Sequence, residues 1–260
     1  MGFGNMGRAI AVGLLEHGTI SAKHIAVYDV ELEKREQAEL LGATAYDNPV
    51  EFAKACENVL LAVKPQTMEV ALNEIKAGLR ESALVISIAA GISIEYIRSR
   101  LGESFRVARV MPNTPALVSA GAAGMAFGPN CNDRDRAVVR EIFESIGIVE
   151  LVPEELIDAV TALSGSGPAY FFYIVECLVK AAREQGLEES QATRLAAQTL
   201  VGAGLLLRES GESASTLRER VTSKGGTTEA ALNAFRSSGL ERIIGAGVKA
   251  AVDRAKELGQ

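Results

Sequence analysis

Gly2-Phe3-Gly4-Asn5-Met6-Gly7, at the start of the chain, matches the pattern GxGxxG and leads directly into Arg8 to His17, where apolar residues follow helical spacing. Alone the pattern is weak evidence, because glycines are common and many such strings are ordinary turns. A predicted strand follows this helix and ends in Asp29, about 20 positions after Gly7, the spacing found in dinucleotide-binding folds. The loop therefore predicts a Rossmann-type domain that binds dinucleotide phosphates at a helix N-terminus.

The three glycines of this loop have separate expected roles. Gly2 permits the tight turn, Gly4 lets the pyrophosphate approach the backbone, and Gly7 lets the helix pack closely on its strand. We expect the whole loop, from Gly2 to Gly7, to contact the cofactor.

Asp29 bears on the choice of cofactor. A carboxylate that accepts hydrogen bonds from the ribose hydroxyls repels a 2′-phosphate, so Asp29 alone favours NADH over NADPH. Lys34 and Arg35 follow closely and could reach a 2′-phosphate, although a solvated helix face over Glu31 to Glu39 is the better explanation for them. The preference between NADH and NADPH stays open at this point.

Only Met1 precedes the loop, whereas a Rossmann strand normally supplies several apolar residues before the first glycine. Either residues are missing at the start, or the domain lacks most of its central strand. We expect the first, because losing a strand buried on both faces removes several apolar side chains, at about 1.5 to 3 kcal/mol each.

Residues 1–152 alternate short β-branched runs with longer helical stretches, which predicts an α/β domain with a mostly parallel sheet. The predicted strands are His24 to Asp29, Asn58 to Lys64, Leu84 to Ala89, Arg106 to Met111, Gly121 to Phe127 and Ile148 to Val152. The predicted helices are Arg8 to His17, Leu32 to Leu41, Thr67 to Leu79, Ile94 to Leu101 and Arg134 to Ser145.

Residues 153–260 carry no strand signal and predict an all-α domain, with helix breaks at Gly165 to Pro168, Gly186, Ser210 to Ser213, Gly225-Gly226 and Gly239. Ala192 to Leu207 is apolar on nearly all sides, so it must be buried. A small helical domain has little interior for such helices, and we expect a second subunit to cover them. The alternative is a monomer with one central buried helix.

Composition excludes several classes of protein. Of the 260 residues, 33 are acidic and 27 basic, and the scattered basic residues leave no footprint for nucleic acid. Three separate cysteines and two histidines show no metal-ligand spacing, so we expect reduced thiols, no metal and a cytoplasmic protein. We expect neither a membrane span nor a signal peptide, because no apolar run approaches about 18 residues.

Three polar or glycine turns follow predicted strands, at the sheet edge where α/β proteins bind ligands. Any one of them is explained equally well as a plain loop, but their shared edge favours a nicotinamide pocket. They are Ala62-Val63-Lys64-Pro65-Gln66, Ala89-Ala90-Gly91 and Met111-Pro112-Asn113-Thr114-Pro115, the last made rigid by its prolines.

The helical half has two further turns. Leu163 to Tyr170 is a small-residue loop that opens a long helix, with Pro168 in its first turn. Val221-Thr222-Ser223-Lys224-Gly225-Gly226-Thr227-Thr228-Glu229 combines hydroxyls, two glycines and a helix start, which suits a small carboxylate. A helix start capped by Thr227 or Thr228 explains the second turn equally well.

Five strings, in this order, resemble the pyrroline-5-carboxylate reductase family: GFGNMG, AVKPQ, VMPNTP, LSGSGPAY and VTSKGGTTEAAL. The last is the most specific. The resemblance spans almost the whole chain, and it implies a Rossmann domain followed by a helical dimerisation domain, with decamers in some members. It implies hydride transfer from NADPH or NADH to the C=N bond of pyrroline-5-carboxylate, giving proline.

The resemblance also implies roles for individual residues. Ala62, Val63, Lys64 and Pro65, with Ala89, Ala90 and Gly91, would line the nicotinamide. Ser223, Gly225, Gly226, Thr227 and Thr228 would hold the substrate, with Asn113 beside it and with the glycine-threonine segment supplied by the partner subunit. We expect backbone N–H groups of Gly226 and Thr227 to bind the carboxylate, and the Thr228 hydroxyl to bind the imine nitrogen and act in catalysis.

Two other functions compete with this one. Reduction of another small imine or keto acid would fit the same architecture, with Lys180 as an acid, although its neighbours are apolar. A dinucleotide-binding regulator without catalysis is supported only by the short segment before Gly2.

The chemistry of imine reduction fits the residues of this chain. Reduction of a cyclic imine needs orientation and exclusion of water more than a strong acid, which suits a site without histidine.

Overall fold

The strands form a mostly parallel sheet in two parts. This computed structural model describes residues 1–259, in which β1 (Ala26–Tyr28) pairs in parallel with β2 (Thr44–Tyr46). The larger part has five strands that pair in chain order: β3 (Asn58–Leu61), β4 (Leu84–Ser87), β5 (Arg106–Met111), β6 (Gly121–Phe127) and β7 (Gly147–Leu151). Every pair is parallel except β5 with β6, so the predicted Rossmann-type α/β sheet is confirmed.

Six helices connect and cover these strands. They are α1 (Asn5–Glu16), α2 (Leu32–Leu40), α3 (Pro49–Ala55), α4 (Met68–Lys76), α5 (Ile94–Leu101) and α6 (Asp133–Glu144). All four residues of β4 are buried, as expected for a parallel strand with both faces covered. Val85 packs in a cluster with Leu72 and Ile97, whereas Ile86, on the opposite face, packs with Phe143.

Met1 and Gly2 lie between the two parts of the sheet. The Met1 amino group donates to Leu60 O at 2.8 Å, and Ala62 N–H donates to Met1 O at 2.8 Å. On the other side, Gly2 N–H donates to Tyr28 O at 2.8 Å. Met1 and Gly2 together thus occupy the position expected for a central strand, with Met1 bonded to the β3 side and Gly2 bonded to β1.

Most predicted elements are present, and several have bounds that differ from the prediction by a few residues. β5, β6 and α5 match the predicted ranges, and β1 covers only three of the predicted residues. β2 and α3 were not predicted. Asn48 caps α3 by accepting hydrogen bonds from Val50 N–H and Glu51 N–H, and Pro49 occupies the first helical position, so the Asn-Pro pair was a usable start signal that was missed.

From Gly167 onward every regular element is a helix: α8 (Gly167–Glu184), α9 (Glu189–Ser210), α10 (Ala214–Arg220), α11 (Thr227–Ser237) and α12 (Leu240–Leu258). The short helix α7 (Ile157–Val160) and a π-helical turn, Thr161–Gly165, precede them. Contacts divide the chain into one compact unit of Met1–Pro168 with the residues from Ala251, and a second of Ala169–Ala250. The domain boundary at 152/153 stays a prediction.

The helices of the second unit leave apolar side chains exposed. In α9 only Ala192 is buried, although the apolar residues of Ala192 to Leu207 were predicted to be buried on nearly all sides of the helix. On α8, Phe171, Phe172 and Tyr173 are 53%, 60% and 67% exposed. Because large exposed apolar surfaces mark interaction sites, a single copy of this chain leaves the expected interface uncovered.

One helical stretch within residues 1–259, Glu154–Glu184, is long and apolar enough by composition to cross a membrane. The expectation that no such run exists was therefore wrong on length and composition. This is weak evidence for a span, because an apolar helix that packs against protein passes the same test. The stretch also includes the π-helical turn and is not one uniform helix.

Candidate cofactor and substrate sites

The glycine loop has the geometry that its pattern predicts. Gly2 has φ +87°, and a Cβ atom there would lie 2.7 Å from Ala62 O, so the turn requires glycine. A Cβ on Gly7 would collide with Gly2 O. At Gly4, by contrast, a Cβ would meet nothing within 4 Å, which leaves the outer face of the loop open.

Helix α1 begins at this open face. Gly4 is its N-cap and provides no side-chain hydrogen bond, and the first turn carries no acidic residue. The N–H groups of Asn5, Met6 and Gly7 have no carbonyl partner within the helix, and the positive end of its dipole lies here. The chemistry of this helix start fits the pyrophosphate of a dinucleotide.

Asp29 is joined to the loop by its carboxylate. Phe3 N–H donates to Asp29 Oδ2 at 2.6 Å, and Glu31 N–H donates to Oδ1 at 3.0 Å. Arg35 donates to the backbone carbonyl of Asp29 at 2.7 Å. Asp29 therefore fixes the loop to the end of β1. The Arg35 side chain is used to bond the backbone of the same residue.

A cavity of about 410 Å³ lies beside the open face of the loop. Its basic lining residues are Arg8 and Lys34, and within residues 1–259 neither side chain has a hydrogen-bond or ion-pair partner. Asp29 does not line it. The remaining lining residues are Phe3, Gly4, Asn5, Gln37, Leu40 and Leu41. A partly apolar cavity with two free cations next to the glycine loop fits the adenosine end of a dinucleotide.

Two of the predicted nicotinamide turns lie at the same sheet edge. Ala62 contacts Gly2 directly after β3, and Ile88 N–H donates to Leu61 O at 3.2 Å, which keeps the segments after β3 and β4 side by side. Gly91 has φ +76°, and a Cβ there would lie 2.7 Å from Leu258 O, so the end of α12 packs against this turn. The structure thus brings the turn after β3 to the glycine loop and the turn after β4 to the same sheet edge; their contact with nicotinamide stays a prediction.

Asn113 is buried at the end of β5 and holds two segments together. Its Nδ2 donates to Ser164 O at 3.0 Å, and its Oδ1 accepts from Ala122 N–H at 2.9 Å. It therefore fixes the π-helical turn Thr161–Gly165 to the start of β6. The predicted contact with substrate would use the second hydrogen of Nδ2 or the second lone pair of Oδ1, and it stays a prediction.

An ionic cluster that the sequence analysis missed lies beside this turn. Arg109 on β5 is buried, with its guanidinium 3.3 Å from Asp158 and 3.6 Å from Glu154. Glu154 also accepts from Ile94 N–H at 2.7 Å. An arginine between the apolar residues of β5, Ala108 and Val110, was the available signal, because a buried charge requires partners. The cluster fastens residues 154–158 to the sheet.

In the second unit, the predicted substrate turn is a tight turn followed by a helix start. Gly226 N–H donates to Ser223 O at 3.0 Å, and Gly225 has φ +73°. The N-cap of α11 is Gly226, without a side-chain bond, so the alternative in which Thr227 or Thr228 caps the helix was wrong. The expectation that Gly226 N–H binds a carboxylate also needs correction, because that N–H already has an acceptor.

The thiols of Cys56 and Cys131 show no sign of activation. Burial raises the pKa of Cys56, and burial followed by the nearby Asp135 carboxylate raises the pKa of Cys131. Both therefore stay protonated at neutral pH and are poor nucleophiles.

Comparison with known proteins is consistent across sequence and structure. Residues 154–258 match the family model described as pyrroline-5-carboxylate reductase dimerisation, and residues 1–91 match the model described as NADP oxidoreductase, coenzyme F420-dependent. The chain is 38% identical to pyrroline-5-carboxylate reductase of Methanosarcina acetivorans, covering 100% of this chain and 97% of that protein. It is 40% identical to the enzyme of Haemophilus influenzae, covering 99% and 96%.

Solved structures agree. The pyrroline-5-carboxylate reductase of Coxiella burnetii matches with a TM-score of 0.95 and 38% identity, covering 100% of this chain and 97% of that one. The Plasmodium falciparum enzyme, solved with NADP bound, matches with a TM-score of 0.89 and 31% identity over the same shares. The chain therefore belongs to the pyrroline-5-carboxylate reductase family, and its helical half is the family's dimerisation domain.

Proposed function

We propose that this protein reduces the C=N bond of 1-pyrroline-5-carboxylate to give L-proline, the last step of proline biosynthesis, with NADPH or NADH as the hydride donor. The observation that carries the proposal is the open glycine loop at the start of α1, beside a cavity with two free cations, in a chain of this family. When bound, the nicotinamide supplies the hydride; the residues of this chain bind, orient and shield the reactants.

We assign the cofactor to the first unit. Gly2, Phe3, Gly4, Asn5, Met6 and Gly7 hold the pyrophosphate, supported by the helix dipole and backbone N–H groups of α1. Asp29 keeps the loop in place through Phe3 N–H. We assign the nicotinamide to the turns Ala62-Val63-Lys64-Pro65 and Ala89-Ala90-Gly91, whose small and apolar residues exclude water from the ring.

We assign the substrate to the turn of Ser223, Gly225, Gly226, Thr227 and Thr228. The N–H groups of Thr227 and Thr228 have no carbonyl partner in the first turn of α11, where the first helical bond runs from Ala230 N–H to Gly226 O. These groups bind the substrate carboxylate. The Thr228 hydroxyl bonds the imine nitrogen and orients the protonated ring for hydride transfer to its carbon. Asn113 supports this function by fixing the turn Thr161–Gly165.

The functional assembly that we propose is a cytoplasmic homodimer formed by the helical half, with five dimers joining as a decamer. Its partners are the small-molecule substrate and further copies of the chain, without nucleic acid or membrane. Support comes from the exposed apolar faces of α8 and α9 and from the acidic balance of charge. Light scattering at several protein concentrations measures whether dimers or decamers form.

A substrate panel separates this function from its competitors. Purified protein is mixed with NADPH or NADH and with pyrroline-5-carboxylate, a six-membered cyclic imine or a 3-hydroxyacid's keto form, and loss of cofactor absorbance is followed. We expect the five-membered imino acid to react with the highest kcat/KM. Lys180, the acid that a keto acid reductase would need, is exposed and has no partner within residues 1–259. Higher activity on the keto acid would overturn the proposal.

A further inference from the structure

Glu229 makes a contact within the glycine-threonine turn that the proposed chemistry does not use. Its Oε2 accepts a hydrogen bond from Gly225 N–H at 2.7 Å. Glu229 is the third residue of α11, and an acid at this helix position usually bonds the N–H of the N-cap residue. Here the N-cap is Gly226, whose N–H already donates to Ser223 O. The Glu229 carboxylate therefore bonds the N–H of Gly225, the residue before the N-cap.

The bonded peptide is the one that defines the type of turn. Residues 223–226 form a turn closed by Gly226 N–H and Ser223 O. Gly225, its third residue, has φ +73°, whereas Lys224 has negative φ, because Ser119 is the only non-glycine residue with positive φ among those described. This combination is a type II turn. Glycine takes positive and negative φ almost equally, so the Lys224–Gly225 peptide can rotate to a type I turn at little cost.

The orientation of this peptide sets the path of the chain into α11. A Cβ on Gly226 would collide with Ser223 Oγ, so Gly226 lies close over the turn and follows its shape. The next residues are Thr227 and Thr228, whose N–H groups have no helical carbonyl partner. A change of the Lys224–Gly225 peptide would redirect these groups. The charge-assisted hydrogen bond that the Glu229 carboxylate accepts from Gly225 N–H disfavours that change.

We infer that Glu229 is a positioning residue that holds the turn in the type II form and so aims the N–H groups of Thr227 and Thr228 at an anionic substrate, an inference that rests on the proposed function of this turn. Its electrostatic effect has the opposite sign. A carboxylate in the first turn of α11 reduces the positive potential there, so its charge alone weakens the binding of another carboxylate. The two effects predict opposite results when Glu229 is removed.

Three variants of Glu229 separate the effect of its hydrogen bond to Gly225 N–H from the effect of its negative charge. Glu229→Ala removes both the bond and the charge. Glu229→Gln loses the charge and keeps an oxygen that can accept from Gly225 N–H, whereas Glu229→Asp keeps the charge but is too short to reach. The matched control is Glu241→Ala, because Glu241 is also an acid in the first turn of a helix, α12, and is exposed without a partner within residues 1–259.

Steady-state kinetics with pyrroline-5-carboxylate measure KM and kcat, and fluorescence titration measures the cofactor Kd. We expect Glu229→Ala and Glu229→Asp to raise KM about tenfold, the value of one charge-assisted hydrogen bond, with little change in kcat or cofactor Kd. Glu229→Gln and Glu241→Ala should stay within about twofold of wild type. An unchanged or lower KM in Glu229→Ala, or Glu229→Gln as impaired as Glu229→Ala, overturns the inference.

Amide hydrogen exchange provides a readout without substrate. We expect Gly225 N–H to exchange about tenfold faster in Glu229→Ala and Glu229→Asp than in wild type, and slowly in Glu229→Gln. Equal exchange in all variants overturns the inference even if their kinetics differ. Wild-type protein that fails to reduce pyrroline-5-carboxylate overturns the proposed function instead, and the exchange rates still decide whether Glu229 fixes the turn.

Discussion

Lys34 and Arg8 line the cavity beside the glycine loop without partners within residues 1–259, whereas Asp29 bonds backbone N–H groups and does not line it. In the sequence, Asp29 alone favours NADH. The sequence does not show that the Asp29 carboxylate already bonds Phe3 N–H and Glu31 N–H, because those bonds form only in the folded loop. We expect the two cations of the cavity to favour NADPH, because they can pair with its 2′-phosphate. Residue types alone could not show which charges face the cavity.

Lys34→Ala tests this placement. We expect the variant to bind NADPH about tenfold more weakly and NADH nearly as well as wild type, because only NADPH carries the phosphate that a lysine pairs with. Fluorescence titration of each cofactor measures the two Kd values. Lys23→Ala, at an exposed lysine outside the cavity, is the control. Equal weakening of both cofactors in Lys34→Ala would contradict the assignment of the phosphate to this cavity.

Thr228 is the residue that we expect to contact the reacting nitrogen. Thr228→Ala should lower kcat by about 10- to 100-fold, because one hydrogen bond to a charged group is lost, while the cofactor Kd changes little. Thr228→Ser keeps the hydroxyl and should recover most of the turnover. Rapid mixing with saturating cofactor measures the hydride-transfer rate directly. Unchanged kinetics in Thr228→Ala would remove this residue from the mechanism.

At the scale of elements, the turns around β5 and β6 depend on buried polar contacts. Asn113 bonds Ser164 O and Ala122 N–H at once, so Asn113→Ala leaves both without their partner. We expect it to lower the free energy of unfolding by about 2 to 4 kcal/mol. Urea denaturation measures the loss. Asn130→Ala, which removes an exposed bond to Glu103 O, should cost much less, and an equal loss in both variants would argue against this role.

The elements that sequence predicts well are those with long runs of one pattern. β5, β6 and α5 have their predicted bounds, because the two strands are continuous, largely apolar runs and α5 has apolar residues at helical spacing. β2 has only three residues, Thr44–Tyr46, with none of them buried, so no such pattern exists to detect. β2 is stabilised by its pairing with β1, a contact that the local sequence does not reveal.

The site was predictable to a similar degree. The open loop at Gly4 and the turn at Gly225 follow from glycines at fixed offsets, which is a local signal. The ion cluster of Arg109 with Glu154 and Asp158 joins residues far apart in sequence. Such partners are brought together only by the fold, and no spacing rule identifies them.

For the whole molecule, the exposed apolar face of α8 implies that the chain does not function alone. Phe172→Glu places a charge where we expect the second copy to pack, so it should convert dimers to monomers at micromolar concentration. Light scattering coupled to gel filtration measures the mass. Val70→Glu, at an exposed residue of α4 outside the dimerisation region, should leave the assembly unchanged. A Phe172→Glu dimer as stable as wild type would place the interface elsewhere.

The central claim is that the glycine loop holds the cofactor for reduction of pyrroline-5-carboxylate. Gly4→Ala isolates this claim, because the loop has space for the added methyl group and the fold should tolerate it. The methyl group would occupy the space through which the pyrophosphate approaches.

The most direct measurement is proline formed from pyrroline-5-carboxylate, with NADPH and NADH, by wild-type protein and by Gly4→Ala of equal thermal stability. We expect wild type to form one proline for each cofactor oxidised, and Gly4→Ala to lose at least about tenfold in kcat/KM for the cofactor, the effect of about 1.4 kcal/mol. Absence of proline with wild-type protein, or full activity in Gly4→Ala, would contradict the claim.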